Sequence, residues 1–374
     1  MLPMKVAFDG TTLTPDRTGI GYYTQHLLSH LAAEFSQDEW IVLSNQPLSL
    51  SDPLPPHRLF DTAGSIPWRI PWIQLAAPRL LRQLGPDVAH FTNSICPLRS
   101  PVPTVLTLHD MSLELFPHLH PRRRRLTRWL VRRCARRAQA VIAVSESSRR
   151  NICSMLGVSS RQVVVVREAA APAFRPIEDR QTLRRVRSRY NLPERFLLHV
   201  GTIEPRKNLV SLLQAFSSIV SSGGPDLGLV LAGKWAWGIR QVQETIQALG
   251  LGDSVRLLGY VDFEDLPALY SLAVATVYPS LHEGFGLPVV EAMACGSPVV
   301  TSANSSLIEV AGGAALMLDG PSWAAIAAAL RRLLDSQDLR QELAGRSIQN
   351  ARRFSWSRAA AETRQVYEEV ARSG

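Results

Sequence analysis

Cysteine, lysine and long apolar runs are all scarce in this 374-residue chain. The four cysteines, Cys96, Cys134, Cys153 and Cys295, are scattered and form no Cys-x-x-Cys pair, which argues against a disulfide framework or a cysteine-bound metal. No apolar stretch reaches the ~20 residues that cross a bilayer. The apolar N-terminal run meets Asp9 too early for a signal peptide. These absences predict a globular protein of the reducing cytosol.

Basic residues are in excess, and the excess lies in the first half of the chain. The net charge is +9, with 22 Lys and Arg against 14 Asp and Glu in residues 1–180, but 19 against 18 in residues 181–374. The first half is therefore expected to meet an anionic partner. A chain of this length is also too long for one typical core, so two domains are expected.

Strand-like and helix-like segments alternate through both halves, which predicts an α/β protein with two parallel sheets. The predicted strands are 5–8, 40–43, 88–91, 102–108 and 140–144, then 196–200, 227–232, 255–258, 275–278 and 298–301. The predicted helices are 21–35, 126–137, 208–220, 240–249, 266–272, 288–294, 323–335 and 356–371. An Ala- and Pro-rich stretch at 169–176 is interpreted as the linker, and the Pro-rich segments 46–57 and 64–78 as surface loops.

Residues 279–292 have the most informative pattern, in which a Gly-Phe-Gly turn separates two carboxylates after an apolar strand. Glu283 falls in the loop and Glu291 about two turns into the following helix, so the pair spans roughly 10 Å at ~1.5 Å per residue. The backbone N–H groups of 284–286 are suited to hydroxyl or phosphate oxygens. Ligands of parallel sheets lie beyond the carboxyl ends of the strands, where this loop falls.

A second loop, after the strand at 196–200, leads into a helix through Arg206, Lys207 and Asn208. Asn208 is a suitable N-cap residue. Two cations beside a helix N-terminus would bind a pyrophosphate well. The alternative is a turn with two solvated charges, although Lys207 is one of only three lysines in the chain.

Three further segments have weaker patterns. Gly19 and Gly21 follow the first strand but lack the third glycine of a dinucleotide fingerprint, so a tightly packed turn explains them equally well. His109 ends a strongly apolar strand and is either functional or a structural cap. Tyr260 and Val261 end another strand, where the backbone could hold a flat base.

The segment from Arg122 to Arg137 is intensely basic, with apolar residues at helical spacing. It can be a domain helix with a solvated arginine face, a surface that docks on anionic lipid, or a nucleic-acid contact. No nucleic-acid motif accompanies it, so nucleic acid is not expected as a partner.

Together the motifs resemble family 4 of the retaining glycosyltransferases, which have the GT-B fold of two Rossmann-like domains with parallel sheets facing across a cleft. The resemblance rests on Gly-Ile-Gly-Tyr-Tyr-Thr, Thr-Leu-His-Asp, Val-Gly-Thr-Ile-Glu-Pro-Arg-Lys-Asn-Leu and Glu-Gly-Phe-Gly-Leu-Pro-Val-Val-Glu-Ala-Met-Ala-Cys-Gly, in this order. It implies an acceptor-binding domain at 1–172, a nucleotide-sugar domain at 173–355, and a C-terminal helix at 356–374 that crosses back to the first domain.

The resemblance also implies site residues. Arg206 and Lys207 would bind the donor diphosphate, Glu283 the sugar hydroxyls and Glu291 the ribose, and His109 would lie over the donor sugar. The other implied donor contacts are Gly19, Gly21, Tyr260, Val261, Gly284, Phe285, Gly286 and Leu287. Many family members carry a second arginine where this chain has Thr202, so the two cations would bear more of the diphosphate charge.

The function implied is retaining transfer of a sugar from a nucleoside diphosphate to a glycan or polyprenyl-linked acceptor, in cell-surface polysaccharide assembly. The wording of the Gly-Thr-Ile-Glu-Pro-Arg-Lys-Asn motif favours GDP-mannose as donor. No cofactor is expected, and no DxD-like loop indicates a metal. The expected location is cytoplasmic, with a peripheral position on the inner face of the membrane. Alternatives are a UDP- or dTDP-sugar donor, a GT-B nucleotide-sugar epimerase, and a non-enzymatic anion-binding protein.

Overall fold

The computed structural model of the chain describes residues 2–15, 17–50, 58–61, 66–119, 125–221 and 226–373. Backbone contacts divide the chain into two compact units. The first unit is Met1–Glu168 with Ser355–Gly374, and the second is Ala169–Phe354. The sequence analysis set the corresponding boundaries after residues 172 and 355.

The described part of the first unit is built on a seven-stranded parallel sheet in the order β3-β2-β1-β4-β5-β6-β7. The strands are β1 (Lys5–Asp9), β2 (Glu39–Ser44), β3 (Arg58–Asp61), β4 (Val88–Phe91), β5 (Thr104–Leu108), β6 (Ala140–Ala143) and β7 (Val163–Val165). Its helices are α1 (Gly19–Glu34), α2 (Arg69–Leu75), α3 (Ala77–Leu84), α4 (Ser112–Leu115), α5 (Arg125–Arg137) and α6 (Glu146–Leu156). The strand order reverses between β1 and β4, which opens a crevice at their carboxyl ends.

The second unit has a six-stranded parallel sheet in its described residues, in the order β10-β9-β8-β11-β12-β13. The strands are β8 (Phe196–Val200), β9 (Gly228–Ala232), β10 (Val255–Gly259), β11 (Ala275–Tyr278), β12 (Val299–Ser302) and β13 (Leu316–Leu318). Its helices are α7 (Arg180–Arg189), α8 (Leu209–Val220), α9 (Ile239–Ala248), α10 (Leu266–Leu272), α11 (Leu287–Ala294), α12 (Leu307–Ala311), α13 (Trp323–Asp335) and α14 (Gln337–Ala351). Here the order reverses between β8 and β11.

The last helix, α15 (Trp356–Ser373), belongs to the first unit and packs on α1. Its Arg364 is buried and donates through Nε to Asp38 Oδ2 over 2.6 Å. Its Tyr367 hydroxyl lies 2.6 Å from Nδ1 of the buried His90. The first unit is therefore completed by residues from the far end of the chain.

The segment 64–78 corrects one prediction, because its described part is not a loop. It contains α2 and the start of α3, and Trp72 and Ile73 are buried in the core of the first unit. Pro71 and Pro78 lie in the first turns of these helices, where a backbone N–H has no partner within the helix in any case. The prolines therefore begin helices here. Residues 64 and 65, and most of the other predicted loop at 46–57, lie outside the described residues.

The basic helix α5 has a buried face and an exposed apolar patch. Leu130, Val131, Cys134 and Ala135 pack into the core. Leu126 and Trp129, which the helical spacing grouped with Leu130 and Cys134, are 68% and 48% exposed. Arg128 and Arg132 both pair with the buried carboxylate of Glu114, so two of the arginines hold the helix to the fold. Arg122, Arg123 and Arg124 lie outside the described residues.

Candidate active site

The two loops singled out by the sequence meet at the carboxyl edge of the second sheet. One follows β8 and the other follows β11, the two neighbouring strands at which the strand order reverses. The backbone N–H of Leu281 donates to the carbonyl of Arg206 over 2.8 Å and ties the loops together. This switch point is where open parallel sheets bind their ligands.

Arg206 and Lys207 lie in a short 3-10 turn, Pro205–Lys207, immediately before α8. Asn208 holds the N-cap position as predicted, but its backbone is left-handed (φ 58°) and its side chain does not cap α8. It donates instead to the carbonyl of Pro321 over 2.8 Å. The side chains of Arg206 and Lys207 therefore contact the loop after β11.

Glu283 joins these two cations. Its Oε1 accepts from Lys207 Nζ over 2.6 Å, and its Oε2 accepts from Arg206 Nη1 over 2.7 Å. Glu204 Oε1 pairs with Arg206 Nε at 2.6 Å, and the Tyr278 hydroxyl accepts from Lys207 Nζ over 2.7 Å. The group, which we call the cation cluster (Glu204, Arg206, Lys207, Tyr278 and Glu283), is buried or nearly so and contains two cations and two carboxylates.

The protonation of the cation cluster follows from its burial and pairing. Burial lowers the pKa of Lys207, and the charge of Arg206 lowers it further, while Glu283 opposes the shift. Burial alone would raise the pKa of Glu283, but Arg206 and Lys207 outweigh it and hold that pKa well below its usual range. Burial raises the pKa of Tyr278 well above its usual value, and Glu283 adds to this. The phenol therefore stays neutral beside an ionised carboxylate.

The backbone of the glycine loop is held by hydrogen bonds to two serine hydroxyls in the segment before α12. Ser306 Oγ donates to the carbonyls of Glu283 and Phe285 over 3.0 and 2.8 Å, and the N–H of Glu283 donates to Ser305 Oγ over 3.0 Å. Gly286 has φ +102°, and a methyl group there would lie 2.7 Å from Leu307 Cδ2. The predicted contacts Gly284 and Leu287 belong to this same loop and the start of α11, whereas the side chain of Phe285 is buried.

The remaining predicted contacts of the second unit lie around the same edge. Glu291 is buried on α11 and accepts from the Tyr270 hydroxyl over 3.0 Å. Burial raises the pKa of Tyr270 well above its ordinary value, and Glu291 reinforces the shift. After β10, Tyr260 is exposed, with Lys234 Nζ 5.3 Å from its ring centre, and Val261 is buried.

His199 is a site residue that the sequence analysis missed. It is fully buried on β8, its Nδ1 donates to the carbonyl of Val277 over 3.0 Å, and its ring stacks on Tyr278 at 5.4 Å. Burial lowers its pKa to about 4, so the ring is neutral near pH 7. The available signal was one polar residue inside the otherwise apolar strand Phe196–Val200.

The other predicted residues, Gly19, Gly21 and His109, belong to the first unit. Gly19 is exposed with open space around it, whereas a methyl group on Gly21 would lie 2.7 Å from the carbonyl oxygen of Thr12. Close packing therefore accounts for Gly21, in agreement with the alternative reading of the motif.

His109 is fixed by hydrogen bonds on both ring nitrogens. Its Nε2 lies 2.8 Å from the carbonyl of Thr92, which can only accept, and its Nδ1 lies 3.0 Å from Glu168 Oε1. The Tyr23 ring packs edge-on against it at 4.6 Å. These contacts hold the imidazole at the carboxyl end of β5, the edge where ligands of a parallel sheet bind.

Two further features concern the described residues as a whole. Within them, no group of three or more His, Cys, Asp or Glu side chains could hold a metal ion. Their helices include none that is both long and apolar enough to span a bilayer.

Comparison with known proteins identifies the class. The family of glycosyl transferases group 1 matches residues 180–354, and Glycosyltransferase Family 4 matches residues 17–170. In structure, the chain is similar to a sucrose-phosphate synthase from Thermosynechococcus elongatus, with a TM-score of 0.78 at 22% identity over 99% of this chain and 100% of that one. The fold is therefore the GT-B fold of glycosyltransferases, made of two Rossmann-like units.

Curated relatives narrow the class. The chain is 31% identical to the O-antigen chain mannosyltransferase B of Escherichia coli over 97% of its own length and 99% of the relative's. It is also 31% identical, over 60% of its length, to the serotype-specific mannosyltransferase WbdA of Escherichia coli, of which it covers 28%. The chain belongs to glycosyltransferase family 4.

Proposed function

We propose that this glycosyltransferase transfers mannose, with retention of configuration, from GDP-mannose to a growing glycan or a polyprenyl-linked glycan in cell-surface polysaccharide assembly. The observation that carries the proposal is the cation cluster, which places Arg206 and Lys207 together at the switch point of the second sheet. The name of the full-length relative, an O-antigen chain mannosyltransferase, supports the choice of sugar and of acceptor class.

The cation cluster is suited to receive the charge of a leaving nucleoside diphosphate. When the bond between the anomeric carbon and the diphosphate breaks, negative charge builds up on the phosphate oxygens. Arg206 and Lys207, beside the start of α8, would stabilise that charge in a site that largely excludes water. Glu204 and Glu283 together balance the two cations before the donor binds, and Glu283 would turn to a sugar hydroxyl once phosphate oxygens take its place.

Retention is proposed to follow from attack on the same face that the diphosphate leaves. The acceptor hydroxyl would bond to the anomeric carbon, and its proton would pass to a donor phosphate oxygen. This route needs no pair of carboxylates flanking the bond, unlike a glycosidase. We propose that it proceeds without a metal or a cofactor, and that His109, held by Glu168 and Thr92, contacts the donor sugar.

A transfer assay with GDP-mannose and a lipid-linked glycan tests the proposal. Lys207→Met should lower kcat about 10²- to 10³-fold, because it removes a charge that acts mainly in the transition state. Lys5→Met, on a partly exposed lysine of β1, is the matched control and should behave as wild type. Undiminished turnover in Lys207→Met would overturn the mechanism. Transfer from UDP- or dTDP-sugars but not from GDP-mannose would show that the proposed donor is wrong.

We also propose that α5 docks on an anionic membrane surface, where a polyprenyl-linked acceptor would be held. Its exposed Leu126 and Trp129 lie among arginines, and the Arg133 guanidinium lies 5.1 Å from the centre of the Trp129 ring. Apolar side chains flanked by cations are complementary to the interface of an anionic bilayer. Arg128 and Arg132 pair with Glu114, and Arg136 and Arg137 donate to backbone carbonyls. Arg125 and Arg133 are therefore the described arginines of α5 best placed for lipid.

A further inference from the structure

A third loop borders the cation cluster, and the sequence analysis gave it no role. Residues 233–236 follow β9, the strand beside β8 in the sheet. The N–H of Gly233 donates to the carbonyl of Gly259 over 2.7 Å, and the N–H of Ile203 donates to the carbonyl of Lys234 over 3.0 Å. The loop is thus held between the segment that leads to Arg206 and the segment that leads to Tyr260.

Gly233 lets this loop pack directly against the loop that follows β8. Its φ is +147°, and a methyl group on it would lie 2.0 Å from the carbonyl oxygen of Gly201. The N–H of Ala236 also donates to the carbonyl of Ile203 over 3.2 Å. The two loops therefore run side by side, so the side chains of 233–236 have a fixed position relative to the diphosphate site.

The side chains that this loop presents are a large exposed aromatic and a cation. Trp235 is 56% exposed, and its indole Nε1 lies 3.8 Å from where a Cβ of Gly259 would be. The ammonium of the neighbouring Lys234 lies 5.3 Å from the ring centre of Tyr260, which is itself 41% exposed. A flat apolar face, a cation and a second aromatic ring therefore lie together beside the phosphate-binding residues.

We propose that Trp235 and Lys234 recognise the base of the donor nucleotide, with the indole stacked on the base and the ammonium bonded to its acceptor edge. The inference rests on the proposed function, because it assumes a nucleoside diphosphate at the cation cluster. Every base offers a π-face for stacking. Only guanine offers two adjacent acceptors, O6 and N7, to a cationic donor, whereas adenine places an amino group beside N7. The pair therefore favours guanine over adenine.

Calorimetric titration of the full chain with GDP, ADP and inorganic pyrophosphate tests the stacking. Trp235→Ala should weaken GDP about 5- to 150-fold, which corresponds to the ~1–3 kcal/mol of one stacked base. Trp235→Phe should retain part of the affinity, and pyrophosphate, which has no base, should bind all three proteins equally. Trp68→Ala removes an even more exposed indole from the first unit and should change nothing.

Lys234→Met tests base selection. It should weaken GDP about 5- to 150-fold, the range of ~1–3 kcal/mol for a specific base contact, and leave ADP and pyrophosphate unchanged, so the preference for GDP over ADP falls by the same factor. An equal loss for GDP and pyrophosphate would instead assign Lys234 to the diphosphate and overturn its role in selection. GDP binding that depends on Trp237 and not on Trp235 would overturn the stacking.

The two proposals fail in different ways. If the wild-type chain binds no nucleoside diphosphate, the proposed function fails. If it binds GDP, and Lys207→Met weakens both GDP and pyrophosphate while Trp235→Ala weakens neither, only the base site is refuted. Thermal unfolding of each variant shows whether a loss of binding follows from a loss of folded protein.

Discussion

The carboxylate of Glu283 lies 2.6 Å from the buried ammonium of Lys207, 76 residues away along the chain. The two residues are not equivalent partners. Glu283 also forms an ion pair with Arg206. Among the described residues, by contrast, Glu283 is the only anion paired with Lys207. Removal of either one therefore leaves a different charge behind in the same buried place.

Glu283→Gln should destabilise the second unit more than Lys207→Met does. The first change leaves the buried Lys207 without a paired carboxylate, while Arg206 keeps Glu204, at a cost of about 3–5 kcal/mol for breaking a buried pair. The second leaves a carboxylate that still has a cation partner, because Glu283 keeps Arg206, which it shares with Glu204. Urea unfolding at pH 7 measures both losses, and the double variant should be more stable than Glu283→Gln alone. Equal losses in the two single variants would contradict this account.

The stability of the second unit should fall as the pH drops below about 6.5, in part because of His199. The pKa of His199 is lowered to about 4 in the folded chain, so the unfolded chain binds a proton first as the pH falls from 6.5 to 4. This contribution reaches at most about 1.4 kcal/mol per pH unit. His199→Asn keeps a donor for the carbonyl of Val277 and should show a smaller loss of unfolding free energy between pH 7 and pH 5. Identical pH profiles for the two proteins would count against it.

Arg364→Met should destabilise the first unit by about 3–5 kcal/mol, because it leaves the buried carboxylate of Asp38 without its cation. Asp38 would keep only the N–H of Met4 as a described hydrogen-bond donor. Arg372→Met, on an exposed arginine of the same helix, is the matched control and should cost less than about 0.5 kcal/mol. Urea unfolding of both variants distinguishes the two sites, and similar midpoints would refute the assignment.

Gly233→Ala should weaken GDP binding as well as stability. The added methyl group would meet the carbonyl of Gly201, and the backbone angle at 233 disfavours any side chain, at a cost of about 1–3 kcal/mol. The shift would reach the diphosphate loop that follows Gly201. Gly252→Ala places a methyl group where nothing lies within 4 Å, and should leave thermal unfolding and GDP titration unchanged.

Sedimentation with vesicles tests the membrane surface on α5. The full chain should bind vesicles rich in phosphatidylglycerol more strongly than pure phosphatidylcholine, since each nearby arginine contributes about 1 kcal/mol at an anionic surface. Replacing Leu126 and Trp129 by Ser should reduce that binding. Leu249→Ser, at an exposed leucine beyond the end of α9, should not. Equal binding to both lipids would refute the charge complementarity.

Local pattern predicted most of the second sheet and its loops. The strands Phe196–Val200 and Ala275–Tyr278 were placed correctly, because a buried parallel strand is a short apolar run bounded by turn residues. The start of the helix after the glycine loop was one residue off. What the pattern could not supply was the pairing of Glu283 with the cations, which depends on two loops that only the sheet brings together.

The errors have equally local causes. The edge strands β3, β7 and β13 were not predicted, because they have three or four residues each, too few to show a periodicity. In the segment 64–78, prolines that begin helices were read as loop markers. On α5, spacing alone could not tell which of two apolar stripes faces the core, so the exposure of Leu126 and Trp129 became visible only in the folded chain.

Because α15 is part of the first unit, that unit can be completed only after the second unit has been synthesised. The ribosome completes the whole second unit before it makes the helix that covers α1 and supplies Arg364 to Asp38. At ~5–20 residues per second, a nascent first unit therefore waits tens of seconds with that face open to water. Expression of residues 1–168 alone would leave the same face uncovered for good.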